Sequence, residues 1–295
     1  MKDRSIFDIL EENTNWRSDF ARINKLVTSY NAVHVHPRRD YQLKEFVDDY
    51  CFSDWKGRRH CIDVDDFFDS IGFKKIIISA QHGDVKSYLL FVEAIYNLWR
   101  LAKDYVSNNK EMHLDEPLFQ YYDTLDMLKQ IMDDSLADFN QTAYYDEDSE
   151  QVIVSASDAT VFSVAESVEV PIRIAILRYN SERLKGNVEE KKSLLLRIAQ
   201  DFDGSKKNDL NKCDSNLKSN IFFILNEFNL RHNNIDPQDP KHYHGDVAAM
   251  TPEEIEKWYD DLYRLFLFAY QSLENEEIND KVKTMRHKFK SSAAT

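Results

Sequence analysis

"VKSYLLFVEAIYNLWRLAKDYV", residues 85–106, decides the fold class. Val85, Tyr88, Leu89, Val92, Ile95, Tyr96, Trp99, Ala102 and Val106 recur at spacings of three and four. A helix gathers such positions on one face, whereas a strand would scatter them over two. The stretch therefore predicts a long amphipathic helix. A second is expected from Asp115, with Pro117 in its first turn and a stripe of Leu118, Tyr121, Tyr122, Leu125, Leu128, Met132 and Phe139. The polar "SNNKEMHLDE" between them makes the pair a helical hairpin.

Composition agrees with the pattern. Among 295 residues there are only 6 Gly and 6 Pro, too few for the many tight turns of a sandwich or barrel. Apolar residues at 42% are enough for a core. The chain is expected to be mainly α, a multi-helix bundle with one short β-hairpin insertion at 142–157. There "TAYYDEDSEQVIVSAS" sets an acidic turn between two β-prone runs.

Helical spacing resumes at Asp158 and runs to about Lys185, with Pro171 predicting a kink or a break near Val170. "KGN" at 185–187 reads as a stop. A helix carrying Leu194, Leu195 and Ile198 follows, then "DGSKKND" as a loop. The next helix is expected from Asp209, with Leu210, Cys213, Leu217, Ile221, Ile224 and Phe228 inward. In "TPEEIEKWYDDLYRLF", Thr251 caps, Pro252 suits the first helical position and Glu254 completes a capping box. Ahead of residue 80, "IFDILEEN" and "DFARINKLVTSY" read as helices, and "KKIIISA" as either a strand or a helical turn. The divisions expected are an N-terminal helical region over 1–140, a hairpin connector over 141–157 and a C-terminal bundle over 158–295.

The net charge is −14, which disfavours general coating of nucleic acid. Three cysteines without C-x-x-C spacing give no disulfide framework, so a reducing cytoplasm is the natural compartment. The N-terminus has no apolar core of signal-peptide length, and no membrane span is expected. Phosphate loops, dinucleotide fingerprints, nucleophile elbows and zinc-protease motifs are missing.

The candidate chemistry lies in "FNLRHNNIDPQDPKHYH", residues 228–244. If the helix persists, Arg231 continues the inward stripe. A guanidinium there needs a partner or a wet groove. The alternative is a C-terminal cap, with a cation at the negative helix end and Asn233 or Asn234 left-handed. Two basic loops, "HVHPRRD" (34–40) and "WKGRRHC" (55–61), offer Arg58 and Arg59 for RNA phosphates and Trp55 for base stacking. A zinc site on His34, His36, His60 and Cys61 would match no standard spacing, and no metal is assigned. The basic tail "DKVKTMRHKFK" reads as a surface helix, with membrane-surface or RNA contact as the alternatives.

The order of a broken helix, "KGNVEEKKSLLLRIAQDF", a helix ending "LNEFNLRHNN" and a capped "EEIEKWYDDLYRLFLFA" resembles the helical bundle of HEPN-type proteins. It is particularly similar to those of the abortive-infection type in bacterial phage defence, over roughly 158–275. The resemblance implies a homodimer that brings two copies of 231–244 onto one RNA strand. It also implies cleavage by the 2′-hydroxyl without metal or other cofactor, and a possible protein partner in a defence system. The family's Arg-x4–6-His spacing is not matched, since positions 236–238 hold Asp236, Pro237 and Gln238. Under the resemblance Arg231 would hold phosphate, His232 or His242 would move protons, and Asn233 and Asn234 would contact RNA. The rival expectation is a catalytically inert helical adaptor for a protein partner.

Overall fold

The computed structural model describes residues 15–28, 33–35, 39–108 and 119–292. It is mainly α. Its first elements are α1 (Trp16–Val27), the paired β1 (Val33–Val35) and β2 (Arg39–Tyr41), α2 (Leu43–Tyr50), α3 (Val64–Ser70) and α4 (Phe73–Gln81). Then come α5 (Val85–Asn108), α6 (Phe119–Ala137), β3 (Gln141–Asp146) and β4 (Gln151–Ala156). The rest is helical: α7 (Ala159–Glu166), α8 (Val170–Tyr179), α9 (Val188–Asp201), α10 (Ser205–Cys213), α11 (Ser215–Glu227), α12 (Gly245–Ala248) and α13 (Pro252–Ser292). None of the described helices is long and apolar enough to cross a membrane.

The chain divides into two compact units. One comprises residues 1–157 with 181–183, the other 158–180 with 184–295. In the first, α5 is the central helix. Tyr88, Leu89, Val92, Ile95 and Leu98 are all essentially inaccessible to solvent. It packs on α2, α4, α6 and β4. β3 and β4 pair antiparallel, with Gln141 opposite Ala156 and Asp146 opposite Gln151. That is the hairpin read from the sequence.

The outer edge of β4 would expose its backbone groups to whatever lies beside it. Here α5 covers it with side chains. The Asn97 amide donates to the Val152 carbonyl at 3.0 Å and accepts from the Val152 N–H at 2.8 Å. Glu93 Oε2 accepts from the Val154 N–H at 2.8 Å. The match is geometric. Four helical residues rise about 6 Å, close to the advance of two strand residues.

In the second unit, α13 packs on α7, α9, α10 and α11. The capping box closes as expected, since Thr251 N–H reaches Glu254 Oε2 at 2.8 Å and Glu254 N–H reaches Thr251 Oγ1 at 3.3 Å. Pro171 sits in the first turn of α8, where its missing N–H costs nothing, so the break falls at 167–169. The helix expected to run to about Lys185 ends earlier: α8 stops at Tyr179 with Asn180 as its cap, and Gly186 (φ 77°) follows a separate 3-10 turn, Glu182–Leu184, so "KGN" is not the stop of α8.

Several expectations need correction. "DGSKKND" is not a loop throughout, because α10 begins at Ser205 and buries Leu210 completely. The helix expected from Asp209 is two helices. Asp214 is extended (φ −151°) and accepts from the Asn216 and Leu217 N–H groups at 2.9 Å, so it ends α10 and caps α11. Nor does that helix persist to Arg231. It ends at Glu227, and the left-handed residue is Asn229 (φ 56°), not Asn233 or Asn234. "KKIIISA" is helical, within α4. The pair β1–β2 was not read from the sequence. The "IFDILEEN" segment, the start expected at Asp115, and the side chains of Tyr121 and Tyr122 lie outside the described residues.

Candidate functional site

The chain after α11 folds back on itself around one side chain. Asn234 is 1% exposed. Its Oδ1 accepts from the Asn229 N–H at 3.0 Å, its amide donates to the His242 carbonyl at 2.8 Å, and its own carbonyl accepts from the His244 N–H at 2.9 Å. This draws residue 242 back towards 232. His232 and His242 lie face to face, ring centroids 4.2 Å apart and planes 6° from parallel.

Asp239 orients the second ring. Its Oδ2 is 2.9 Å from His242 Nδ1. That hydrogen bond holds the Asp239 carboxyl below its ordinary value. The spacing follows from a turn in which the His242 and Tyr243 N–H groups donate to the Asp239 carbonyl. With Nδ1 engaged, Nε2 is the nitrogen left to exchange a proton. His244 is held separately, its Nε2 2.5 Å from Glu227 at the end of α11.

Arg231 is partly buried, its side chain 24% exposed. Its guanidinium donates to Asp203 at 2.6 Å and lies 5.2 Å from the centre of the Phe222 ring. Lys207 Nζ lies 4.3 Å from the same ring. Lys206 pairs with Asp201, which also accepts from the Tyr270 hydroxyl at 2.8 Å. So Arg231, Lys206 and Lys207 stand among Asp201 and Asp203, a nearly balanced patch. The backbone of Arg231 donates to the Leu225 carbonyl at 3.0 Å, and ties down a carbonyl that the helix end leaves open.

The sequence-predicted residues therefore fare differently. Arg231, His232 and His242 lie on one folded segment. Asn233 is exposed, its amide 3.5 Å from Asp236. Asn234 is a buried scaffold residue and cannot touch RNA, which corrects its expected role. Trp55 is also corrected. It is 3% exposed, donates its indole N–H to the Glu150 carbonyl at 2.5 Å, and lies so close over Gly57 that a Cβ there would fall 2.3 Å from the ring. It offers no face to a base. Arg58 donates to the Cys61 carbonyl at 2.9 Å and ties its own loop, whereas Arg59 is exposed at a positive φ of 54°. His36 and the side chain of His34 lie outside the described residues. Among the described residues no group of three His, Cys, Asp or Glu could hold a metal ion.

Asp203, Phe222 and Asp239 were missed. Asp239 was legible as an acid three residues before His242. Asp203 and Phe222 carry no such signal, since only the packing of the second unit brings them to Arg231.

A cleft of about 290 Å³ lies in the first unit beside Arg100, Asp104 and Tyr145. Arg100 pairs with Asp104 at 2.8 Å and lies 4.4 Å from the centre of the Tyr145 ring. Burial pushes the Asp104 carboxyl up. It also pushes the lining Cys51 thiol up to about 12, so that sulfur stays protonated at neutral pH and is no nucleophile.

Replacement of Asn234 tests the loop. Asn234→Ala leaves the Asn229 N–H and His242 carbonyl without their partner, and is expected to cost about 1–3 kcal/mol. Hydrogen exchange at the Asn229 and His244 amides should accelerate, while that of buried α13 amides changes little. Unchanged exchange at both would show that another contact holds the loop.

No protein-family model matches the chain, and neither a curated protein nor a solved structure does.

Proposed function

We propose that this chain cleaves RNA through the stacked pair His232 and His242. The observation that carries the reading is that pair, with Asp239 on Nδ1 of His242. Two imidazoles suit a reaction that needs one base and one acid near neutrality. His242, oriented by Asp239, takes the proton of a ribose 2′-hydroxyl. The 2′-oxygen attacks phosphorus, the bond to the 5′-oxygen breaks, and His232 gives that oxygen its proton. The products are a 2′,3′-cyclic phosphate and a 5′-hydroxyl. Arg231 faces the charge that grows on the phosphoryl oxygens, exchanging Asp203 for phosphate. Asn233 positions the ribose or base. The resemblance of residues 158–275 to HEPN bundles of the abortive-infection type supports the same chemistry, with a homodimer as the working form and a defence system as the setting.

The test is labelled single-stranded RNA in EDTA. Wild type should leave cyclic-phosphate ends, and a 2′-deoxy substitution at the scissile nucleotide should block cleavage. His242→Ala and His232→Ala should each lower the rate by about 10²–10⁴-fold. Arg231→Lys should also impair it, because a point charge does not reproduce the planar fork. Cleavage that survives both histidine replacements would overturn the assignment.

A second reading has its own observation. Asp203 meets the Arg231 charge, and hydrogen bonds engage both the oxygen and the nitrogen of the Asn234 amide, as in a loop built for shape. In that reading the chain is an inert adaptor, and the assay shows no cleavage at any enzyme concentration.

A further inference from the structure

The cleft beside Arg100, Asp104 and Tyr145 is built from three elements of the first unit. Arg100 and Asp104 lie one turn apart on α5, Tyr50 ends α2, and Tyr145 stands on β3. At about 290 Å³ it is at the small end of ligand pockets, room for one heterocyclic base and not for a polymer. A guanidinium has two edges that can each make a paired contact. Asp104 approaches Arg100 on the Nε side, at 2.8 Å. Among the described residues no carboxylate or carbonyl accepts from the other edge, between Nη1 and Nη2. The guanidinium carbon lies 4.4 Å from the centre of the Tyr145 ring, which steadies the fork.

Burial pushes the Asp104 carboxyl up even with Arg100 beside it, so its charge is incompletely met. The surrounding charges narrow the ligand further. Asp54, Asp104 and Glu150 oppose a free anion, although Lys56 meets Glu150 at 2.8 Å, and Arg100 opposes a free cation. An uncharged ligand suits the pair if it offers two adjacent acceptors to the fork and two adjacent donors to the carboxylate. Among the nucleobases only guanine has that order, with N7 and O6 followed by the hydrogens on N1 and N2. Tyr50 and Tyr105, ring centroids 5.7 Å apart, line the same cleft and give the flat face of a base a surface to lie against.

We propose that this cleft binds a guanine base, carried by a nucleoside or nucleotide. The Nη1–Nη2 edge of Arg100 donates to O6 and N7, and Asp104 accepts from N1 and N2. The site does not depend on the RNA-cleavage reading, because none of its residues belongs to the loop after α11, and its test contains no RNA.

Equilibrium dialysis of the full chain against tritiated guanosine should show one site with a dissociation constant of about 10–100 µM, the range for a ligand of this size. Inosine lacks the N2 amino group and 7-deazaguanosine lacks N7, so each should compete about tenfold less well. Adenosine should not compete at about 1 mM. Arg100→Lys keeps the charge without the fork. It should weaken guanosine by about tenfold or more and erase the difference between guanosine and 7-deazaguanosine. Asp104→Asn should erase the difference between guanosine and inosine. Both side chains are partly exposed, so helical circular dichroism should be retained. No saturable binding up to about 1 mM guanosine overturns the proposal. So does equal competition by adenosine, or guanosine binding that neither replacement changes. Binding lost in His242→Ala instead would move the nucleoside to the loop after α11 and overturn the cleft. Free tyrosine or phenylalanine that outcompetes guanosine would assign the cleft to a zwitterion, carboxylate on Arg100 and ammonium on Asp104, and overturn the base.

Discussion

Lys191→Ala is expected to destabilise the second unit by about 3–5 kcal/mol, the range for breaking a buried ion pair from one side. Lys191 is a buried residue of α9 with its side chain 7% exposed, and its ammonium meets two carboxylates of α13, Glu256 at 2.8 Å and Asp260 at 2.6 Å. It also lies 5.2 Å from the centre of the Tyr179 ring, whose hydroxyl donates to Asp260 at 2.9 Å. Burial, then the Asp260 charge, pushes that phenol far above its ordinary value, so it remains a donor. Removing the cation takes the counter-charge from Glu256, which is 13% exposed and keeps the Gly186 N–H at 2.7 Å, whereas Asp260 at 39% is still partly hydrated. Lys191→Met refills the volume without repairing the charge, so it should recover little. Adding Glu256→Gln to it should recover more. Urea unfolding at neutral pH, followed by circular dichroism, measures all three. A loss below about 1 kcal/mol for Lys191→Ala would place the cluster among ordinary surface pairs.

Asn97→Ala should cost about 2–4 kcal/mol, since it leaves the N–H and the carbonyl of Val152 buried without their side-chain partner. The chemistry is specific to the amide. Asn97→Asp keeps the acceptor for the Val152 N–H but turns a second oxygen towards the carbonyls of Val152 and Glu93, which both accept from the native Nδ2. It should therefore rescue little, despite near-identical shape. Hydrogen exchange at the Val152 amide should quicken in both variants. A protected Val152 amide in Asn97→Ala would mean that another group covers the edge.

The sequence showed the helices wherever their stability comes from a long apolar face. α5 announces itself by period and α13 by period and cap, and the break at Pro171 by backbone chemistry alone. Reading failed where a single capping side chain overrode the period. The stripe from Leu210 to Phe228 looks continuous, yet Asp214 supplies a cap and divides it. α10 was hidden for the opposite reason, since "SKKNDLNKC" has almost no apolar pattern and is placed by the burial of Leu210. At the candidate site, the cations and histidines were visible as residue types. Their grouping was not. The stack of His232 on His242 depends on the three hydrogen bonds of Asn234, and Arg231 meets Asp203 because α9 to α11 pack as they do. Trp55 misled because an aromatic among cations looks like a stacking platform, whereas the glycine two residues later gave the better clue to a buried ring.

The cover that Glu93 and Asn97 give to β4 has a consequence for the chain as it is made. "QVIVSA" is the kind of short, uncharged, β-rich run that joins its own kind in aggregates when its edge is open. Glu93 and Asn97 are synthesised more than fifty residues earlier. When β4 leaves the ribosome, α5 has already emerged, and the strand meets its permanent partner before it meets another molecule. Reordering the gene by circular permutation, so that the hairpin is translated ahead of α5, should leave the final structure possible but lower the soluble yield.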